Sequence, residues 1–213
     1  GLASWLRAGR ELSTVETPPT PVSEFGRTIP TRPELVVTTP EAKRLLASPR
    51  ADLVSMRSWE EFIGETSGYH YVGPKGRIPG AVFGNCGADA YHMENYRNHD
   101  QTMRPYHEIA SRWEEADLTP DKRIAFYCGT GWRASEAAYY AYLIGYERAA
   151  VYDDGWYGWS SDVGNPIASG VPDGYEGRGR PEGLLRADPL SDQSRGRIVT
   201  GPRSDRPPDD CVG

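Results

Sequence analysis

Two observations predict an α/β domain built on a largely parallel sheet. Short runs rich in β-branched and aromatic residues alternate along the chain with segments of helical periodicity. The run at 123–127, RIAFY, leads into a Gly-rich turn and then into a small, apolar segment from Ala134 that suits a helix. Such a strand–turn–helix unit is typical of parallel sheets. The other strands are predicted at 51–58, 81–83 and 149–152.

Helices and loops are predicted between these strands. Helices are expected at 40–47, where a proline lies in the first turn, and at 109–116, whose apolar residues share one face. The segment 153–159, DDGWYGW, is predicted to be a loop that leaves the last strand. Ligands of open parallel sheets bind beyond the carboxyl ends of the strands, so this loop and the Gly-rich turn are expected to border one cleft. Trp156 and Trp159 are either walls of that cleft or core residues.

Composition narrows the classes of function. The formal net charge is −6 and the pI is about 5.3, with no basic stripe to neutralise phosphates, so no nucleic-acid partner is expected. No apolar run approaches the ~20 residues of a membrane span, so no membrane partner is expected either. The chain has three cysteines, which are Cys86, Cys128 and Cys211. They are too few and too unevenly spaced for a disulfide framework or a zinc site. This pattern predicts reduced thiols and no metal, and it favours a cytoplasmic over a periplasmic location.

Cys128 is the candidate nucleophile. It lies where the strand at 123–127 becomes a helix, which places it beside the partial positive charge of a helix N-terminus. Gly129 and Gly131 let the intervening turn curl so that backbone N–H groups point inward, and Arg133 closes the turn. Such a cradle favours a thiolate over a thiol. A buried structural cysteine is the alternative interpretation.

The turn CGTGWR, together with GRIPGA at 76–81 and VYDDGWYGW at 151–159, resembles the active-site region of the rhodanese (sulfurtransferase) family. The likeness covers about 34–172 and is strongest to bacterial multi-domain thiosulfate sulfurtransferases. It implies a five-stranded, mostly parallel sheet flanked by helices. It also implies catalytic roles for Cys128 and Arg133, and it assigns substrate binding to the residues between them, Gly129, Thr130, Gly131 and Trp132.

The resemblance implies a chemistry as well. A Cys128 thiolate would take the outer sulfur of thiosulfate or a similar small donor, and the resulting persulfide would pass it to cyanide, a thiol or a sulfur-carrier protein, without a cofactor. Protein phosphatases of the cell-division type share this fold but place five residues between Cys and Arg. Here only four intervene. The alternatives are use of 3-mercaptopyruvate as donor, phosphatase activity, and a non-catalytic binding module.

The resemblance also divides the chain. Residues 34–172 are expected to form the catalytic domain, and 1–33 the tail of a preceding rhodanese module followed by a Pro-rich linker. Residues 173–213 are Gly-, Pro- and charge-rich and are predicted to be a disordered tail. Arg57 and Glu61 match a family pattern and are expected to form a contact that stabilises the fold.

Overall fold

The computed structural model of the protein describes residues 1–174 and 180–186. Six strands form one sheet in the order β1–β5–β4–β2–β3–β6, and they are β1 (Val36–Val37), β2 (Ala51–Ser55), β3 (Val82–Phe83), β4 (Arg123–Tyr127), β5 (Ala149–Tyr152) and β6 (Leu185–Arg186). The first five are parallel to their neighbours, and β6 is antiparallel to β3. The predicted α/β fold with a mostly parallel sheet is confirmed, with one strand more than the five expected.

The additional strand, β6, lies within the segment predicted to be a disordered tail. Besides the pairing of β6 with β3, the side-chain amide of Asn85 donates to the carbonyls of Pro181 and Glu182 at 3.2 and 2.9 Å. The prediction is therefore wrong for 180–186, because backbone pairing orders a segment with few apolar side chains. Residues 175–179 and 187–213 of the predicted tail, including Cys211, lie outside the described residues.

Helices cover both faces of the sheet. They are α2 (Thr39–Leu46), α3 (Trp59–Ile63), α4 (Tyr106–Glu115), α5 (Trp132–Ile144) and α6 (Gly155–Ser161), whereas α1 (Leu2–Arg7) buries none of its residues. Strand residues alternate between the faces, so Val54 and Phe126 pack with α4 and α5, whereas Leu53 and Ala125 pack with α2 and α6. The helices predicted at 40–47 and 109–116 correspond to α2 and α4. The division of the chain at 34 and 172 stays a prediction.

The segment 153–159, predicted to be a loop, is a helix from Gly155 onward. Its two tryptophans lie three residues apart on one helical face and are completely buried or nearly so. The indole N–H groups of Trp156 and Trp159 donate to the carbonyls of Pro74 and Pro166 at 2.9 and 2.8 Å. Burial of this aromatic face outweighs the poor helix propensity of two glycines, and both tryptophans are core residues.

Candidate active site

Cys128 occupies the predicted position between a strand and a helix. Strand β4 ends at Tyr127, and α5 begins at Trp132 after Gly131, whose φ of 97° is the left-handed conformation that glycine adopts without strain. The Cys128 side chain is fully buried. The cysteine therefore lies in a sheltered turn at the N-terminus of a helix of 13 residues.

Helix α6 holds the cysteine turn in place. The backbone N–H of Trp156 donates to the Cys128 carbonyl at 2.8 Å, and that of Tyr157 donates to the Gly129 carbonyl at 3.0 Å. A Cβ atom on Gly155 would come within 2.8 Å of both carbonyls, so only glycine allows this close approach. The two segments are therefore in direct contact, although the second of them is a helix. That they border one cleft stays a prediction.

The ring of Tyr69 also packs against the cysteine turn. A Cβ atom on Gly129 would lie 2.0 Å from Cε2 of the Tyr69 ring, so the ring and the turn backbone are in direct contact. Burial raises the pKa of Tyr69 to about 12, which keeps the hydroxyl protonated. It donates to the Ala90 carbonyl at 3.3 Å. Tyr69 could not be identified from the sequence, because its segment carries no periodicity that links it to Cys128.

Arg133 points into the protein and binds a carboxylate. Its Nη1 and Nη2 atoms donate to the two carboxylate oxygens of Glu61 at 2.8 and 2.9 Å. Nη1 also donates to the Asp89 carbonyl at 3.1 Å, and Nη2 to the Tyr69 hydroxyl at 3.4 Å. Burial acts to lower the pKa of Arg133, but the negative charge that Cys86, Glu61 and Cys128 can carry raises it well above its ordinary value. The guanidinium thus remains charged in a site that excludes water.

Glu61 connects two arginines inside the protein. Its carboxylate accepts from Arg57 Nε at 3.3 Å and from the Ser58 backbone N–H at 2.9 Å, in addition to Arg133. Burial acts to raise the pKa of Glu61, but Arg133 first and then Arg57 hold it below its ordinary value. The predicted Arg57–Glu61 contact is present. Its extension to Arg133 was missed, and the only sequence signal was the capping box formed by Ser58 and Glu61 at the start of α3.

A second cysteine lies beside this network. Cys86 is fully buried, and its sulfur accepts a hydrogen bond from Arg133 Nη1 at 3.3 Å. Burial raises the pKa of the Cys86 thiol to about 12. Cys86 is therefore a neutral thiol that contacts the arginine of the site, and the structure records it as free rather than disulfide-bonded.

The predicted site residues fall into two groups. Four of them are buried together, namely Cys128, Gly129, Gly131 and Arg133, while Thr130 is half-buried. Trp132 is different because it is 82% exposed. Among residues 1–174 and 180–186, no cluster of three or more His, Cys, Asp or Glu could hold a metal ion. No described helix is long and apolar enough to cross a membrane.

The comparison with family models gives the class of protein. Residues 38–162 match the model described as the rhodanese-like domain. This match covers more than half of the chain, and the chain belongs to the rhodanese family.

Individual relatives narrow the comparison. The chain is 47% identical over 172 residues to the thiosulfate sulfurtransferase YnjE of Escherichia coli, a match that covers 80% of this chain and 39% of that protein. Among solved structures, it is 55% identical, with a TM-score of 0.77, to the anaerobic ergothioneine biosynthesis enzyme of Chlorobium limicola in complex with trimethyl histidine. A variant of EanB, solved as a cysteine persulfide with ergothioneine, is equally similar. Both structural matches cover 81% of this chain, which spans about 40% of the length of these relatives.

Proposed function

We propose that this chain is a sulfurtransferase that works through a persulfide on Cys128. The thiolate attacks the outer sulfur of thiosulfate or a similar donor, the bond between the two donor sulfurs breaks, and sulfite leaves. An acceptor then attacks the outer sulfur of the persulfide and regenerates the thiolate. The observation that carries the proposal is the buried Cys128 in a short, braced turn at the N-terminus of α5. The family membership and the named relatives support it.

The way Arg133 is held favours sulfur transfer over phosphate chemistry. An arginine that binds a phosphoryl group usually offers two parallel N–H groups to its oxygens. In this protein both Nη atoms of Arg133 already bind Glu61. The turn is also one residue shorter than in phosphatases of the cell-division type, as the sequence indicates. Efficient hydrolysis of aryl phosphates with poor turnover of thiosulfate would reverse this ranking.

Intact-mass analysis tests the persulfide directly. After incubation with thiosulfate, the wild-type protein is expected to gain one sulfur atom, about 32 Da, and to lose it when cyanide is added. The Cys128→Ser variant should show no gain. The matched control is Cys86→Ser, which removes a buried thiol from the same site and should keep the gain. A gain that survives Cys128→Ser, or no gain in the wild type, would contradict the proposed mechanism.

The acceptor is a separate question, and the comparisons favour a specific candidate beside cyanide and thiols. Trimethyl histidine is the natural substrate of the solved relative from Chlorobium limicola. In this chain the rings of Tyr71 and Tyr91 lie 5.3 and 5.9 Å from the ring of Tyr69, which contacts the cysteine turn. Clustered tyrosine faces suit a quaternary ammonium group. Mass spectrometry of reactions that contain persulfidated protein and trimethyl histidine, with histidine as the control, tests for C–S bond formation in this acceptor.

The exposed Trp132 favours a protein acceptor, which would be either a thiol protein or a sulfur carrier. A large exposed aromatic ring beside the nucleophile is typical of an interface anchor. The Trp132→Ala variant is expected to keep near-normal turnover of thiosulfate with cyanide and to lose transfer to a protein acceptor. Tyr139→Ala is the control, because it removes another exposed ring from α5. Loss of both activities together with a lower Tm would instead show that Trp132 belongs to the packing of the domain.

The choice of donor needs one further comparison. The resemblance left 3-mercaptopyruvate open as an alternative to thiosulfate, and parallel steady-state rates with the two donors decide between them. A non-catalytic module would turn over neither donor.

A further inference from the structure

We propose that Glu61 is a positioning residue for sulfur transfer, which orients Arg133 and balances the charge beside Cys128. This inference rests on the persulfide mechanism proposed above. Among the contacts of the described residues, Glu61 has none with Cys128. It acts on the nucleophile indirectly, because it binds Arg133. The role therefore differs from the fold-stabilising contact with Arg57 that the sequence predicts.

The geometry leaves Arg133 one orientation. A carboxylate that binds both Nη atoms fixes the plane of the guanidinium as well as its position. Glu61 is itself immobilised by Arg57 and by the Ser58 N–H, and neither oxygen is exposed to water. The arginine side chain is only 4% exposed. Glu61 thus transmits the position of the α3 N-terminus to the arginine that follows the cysteine turn.

One donor of Arg133 is left over in this arrangement. Its Nε atom is buried and has no hydrogen-bond partner in the part of the chain that the structure describes. Burying an unpaired N–H is costly, so a ligand atom in the site that accepted this hydrogen bond would be bound favourably. We infer that Glu61 occupies the two Nη atoms and so reserves Nε for the transferred sulfur or an oxygen of the donor.

The same contact sets the electrostatic balance of the site. The charged and titratable side chains packed around the turn come from separate segments of the chain, and they are Glu61, Tyr69, Cys86, Arg133 and Asp153. Removal of the negative charge of Glu61 would leave two buried guanidinium groups, Arg57 and Arg133, near the nucleophile. That change favours anionic species in the site and loosens Arg133 at the same time.

Glu61→Gln tests the proposal, because the substitution keeps the shape of the side chain and removes its charge. For thiosulfate–cyanide turnover, we expect kcat to fall about tenfold or more as Arg133 becomes misplaced. We expect KM for the anionic donor to stay the same or fall, and the acidic limb of the kcat/KM profile to move to lower pH by up to about one unit. Glu60→Gln, which removes a charge from the same turn of α3 but is outside the network, should behave as the wild type.

A purely structural role would give a different pattern. It would lower Tm and the active fraction of Glu61→Gln, while the folded molecules kept the wild-type KM and pH profile, and that result would overturn the proposal. If Glu61→Gln does not fold, Glu61→Asp decides the question. It keeps the charge and shortens the reach, so kcat should fall about tenfold with no movement of the acidic limb. A folded Glu61→Asp variant with wild-type kcat would also overturn the proposal.

The wild-type persulfide assay separates this inference from the proposed function. If the wild type gains no sulfur, the mechanism itself is wrong. If the wild type gains sulfur and Glu61→Gln retains the wild-type kcat, KM and pH profile, only the role of Glu61 is wrong.

Discussion

Two carboxylates that each bind two basic side chains lie toward opposite ends of strand β2, Asp52 within the strand and Glu61 in helix α3, which follows it. Their comparison separates stability from chemistry. At the amino end, Asp52 lies 3.4 Å from Lys122 and binds Arg186. At the carboxyl end, Glu61 binds Arg57 and Arg133. Both carboxylates are buried, so the difference lies in their partners. The Arg186 and Lys122 side chains are 42% and 14% exposed, whereas Arg133 is 4% exposed.

The strength of each group of ion pairs depends on its exposure to water. An ion pair that faces solvent is screened and contributes little, whereas a buried pair is strongly coupled and is expensive to break. The carboxyl ends of parallel strands are also where ligands bind in sheets of this kind. The buried network lies there, beside the cysteine turn, so under the proposed mechanism its charges act on the reacting atoms. The network around Asp52 lies at the amino end of β2, so we expect it to affect stability and not sulfur transfer.

The largest expected effect is the loss of stability in Glu61→Ala. The substitution leaves two buried arginines without their carboxylate, and breaking a buried pair from one side typically costs about 3–5 kcal/mol. Urea unfolding of the two proteins gives the difference in the free energy of unfolding. Glu60→Ala is the control and should lose less than about 1 kcal/mol. A loss for Glu61→Ala no larger than that of the control would show that burial does not distinguish the two ends.

The pH dependence of stability should reveal the same carboxylate. The pKa of Glu61 is lowered in the folded protein from the ordinary value of 4.5, chiefly because Arg133 outweighs the effect of burial. Its stabilising contribution is therefore complete above pH 4.5 and is lost as the pH falls through the lower folded value. Unfolding measured across this range should show a steeper acid loss in the wild type than in Glu61→Gln. Parallel curves for the two proteins would contradict the ion pair.

The two networks also show how far the sequence could be interpreted. The cysteine turn was predictable because a strand, two glycines, an arginine and a helix follow one another within about a dozen positions, and each element leaves a local pattern. The contact between Glu61 and Arg133 joins side chains 72 positions apart, and no local pattern specifies such a pair. Strand β6 and helix α6 were missed for a related reason. Backbone pairing orders β6, and the burial of two tryptophans orders α6, so both depend on tertiary contacts rather than on propensity.

The smallest expected effect is that of Arg186→Ala at the amino end of β2. Asp52 keeps Lys122 as a partner in this variant, and the lost side chain is partly solvated, so the free energy of unfolding should fall by no more than about 1 kcal/mol. Sulfur-transfer rates should not change, because Arg186 lies at the edge of the sheet away from Cys128. Urea unfolding and thiosulfate–cyanide turnover measure the two quantities.

Salt sharpens this last prediction. Added salt screens exposed charges but reaches buried pairs poorly, so the difference between Arg186→Ala and the wild type should shrink as ionic strength rises. The difference between Glu61→Ala and the wild type should persist. If both differences shrink together, the network around Glu61 is more hydrated than its burial indicates. If neither difference shrinks, Arg186 stabilises the protein through the pairing of β6 with β3 rather than through its charge. The Arg186→Met variant keeps a long apolar side chain without the charge, so it should then regain the stability that Arg186→Ala loses.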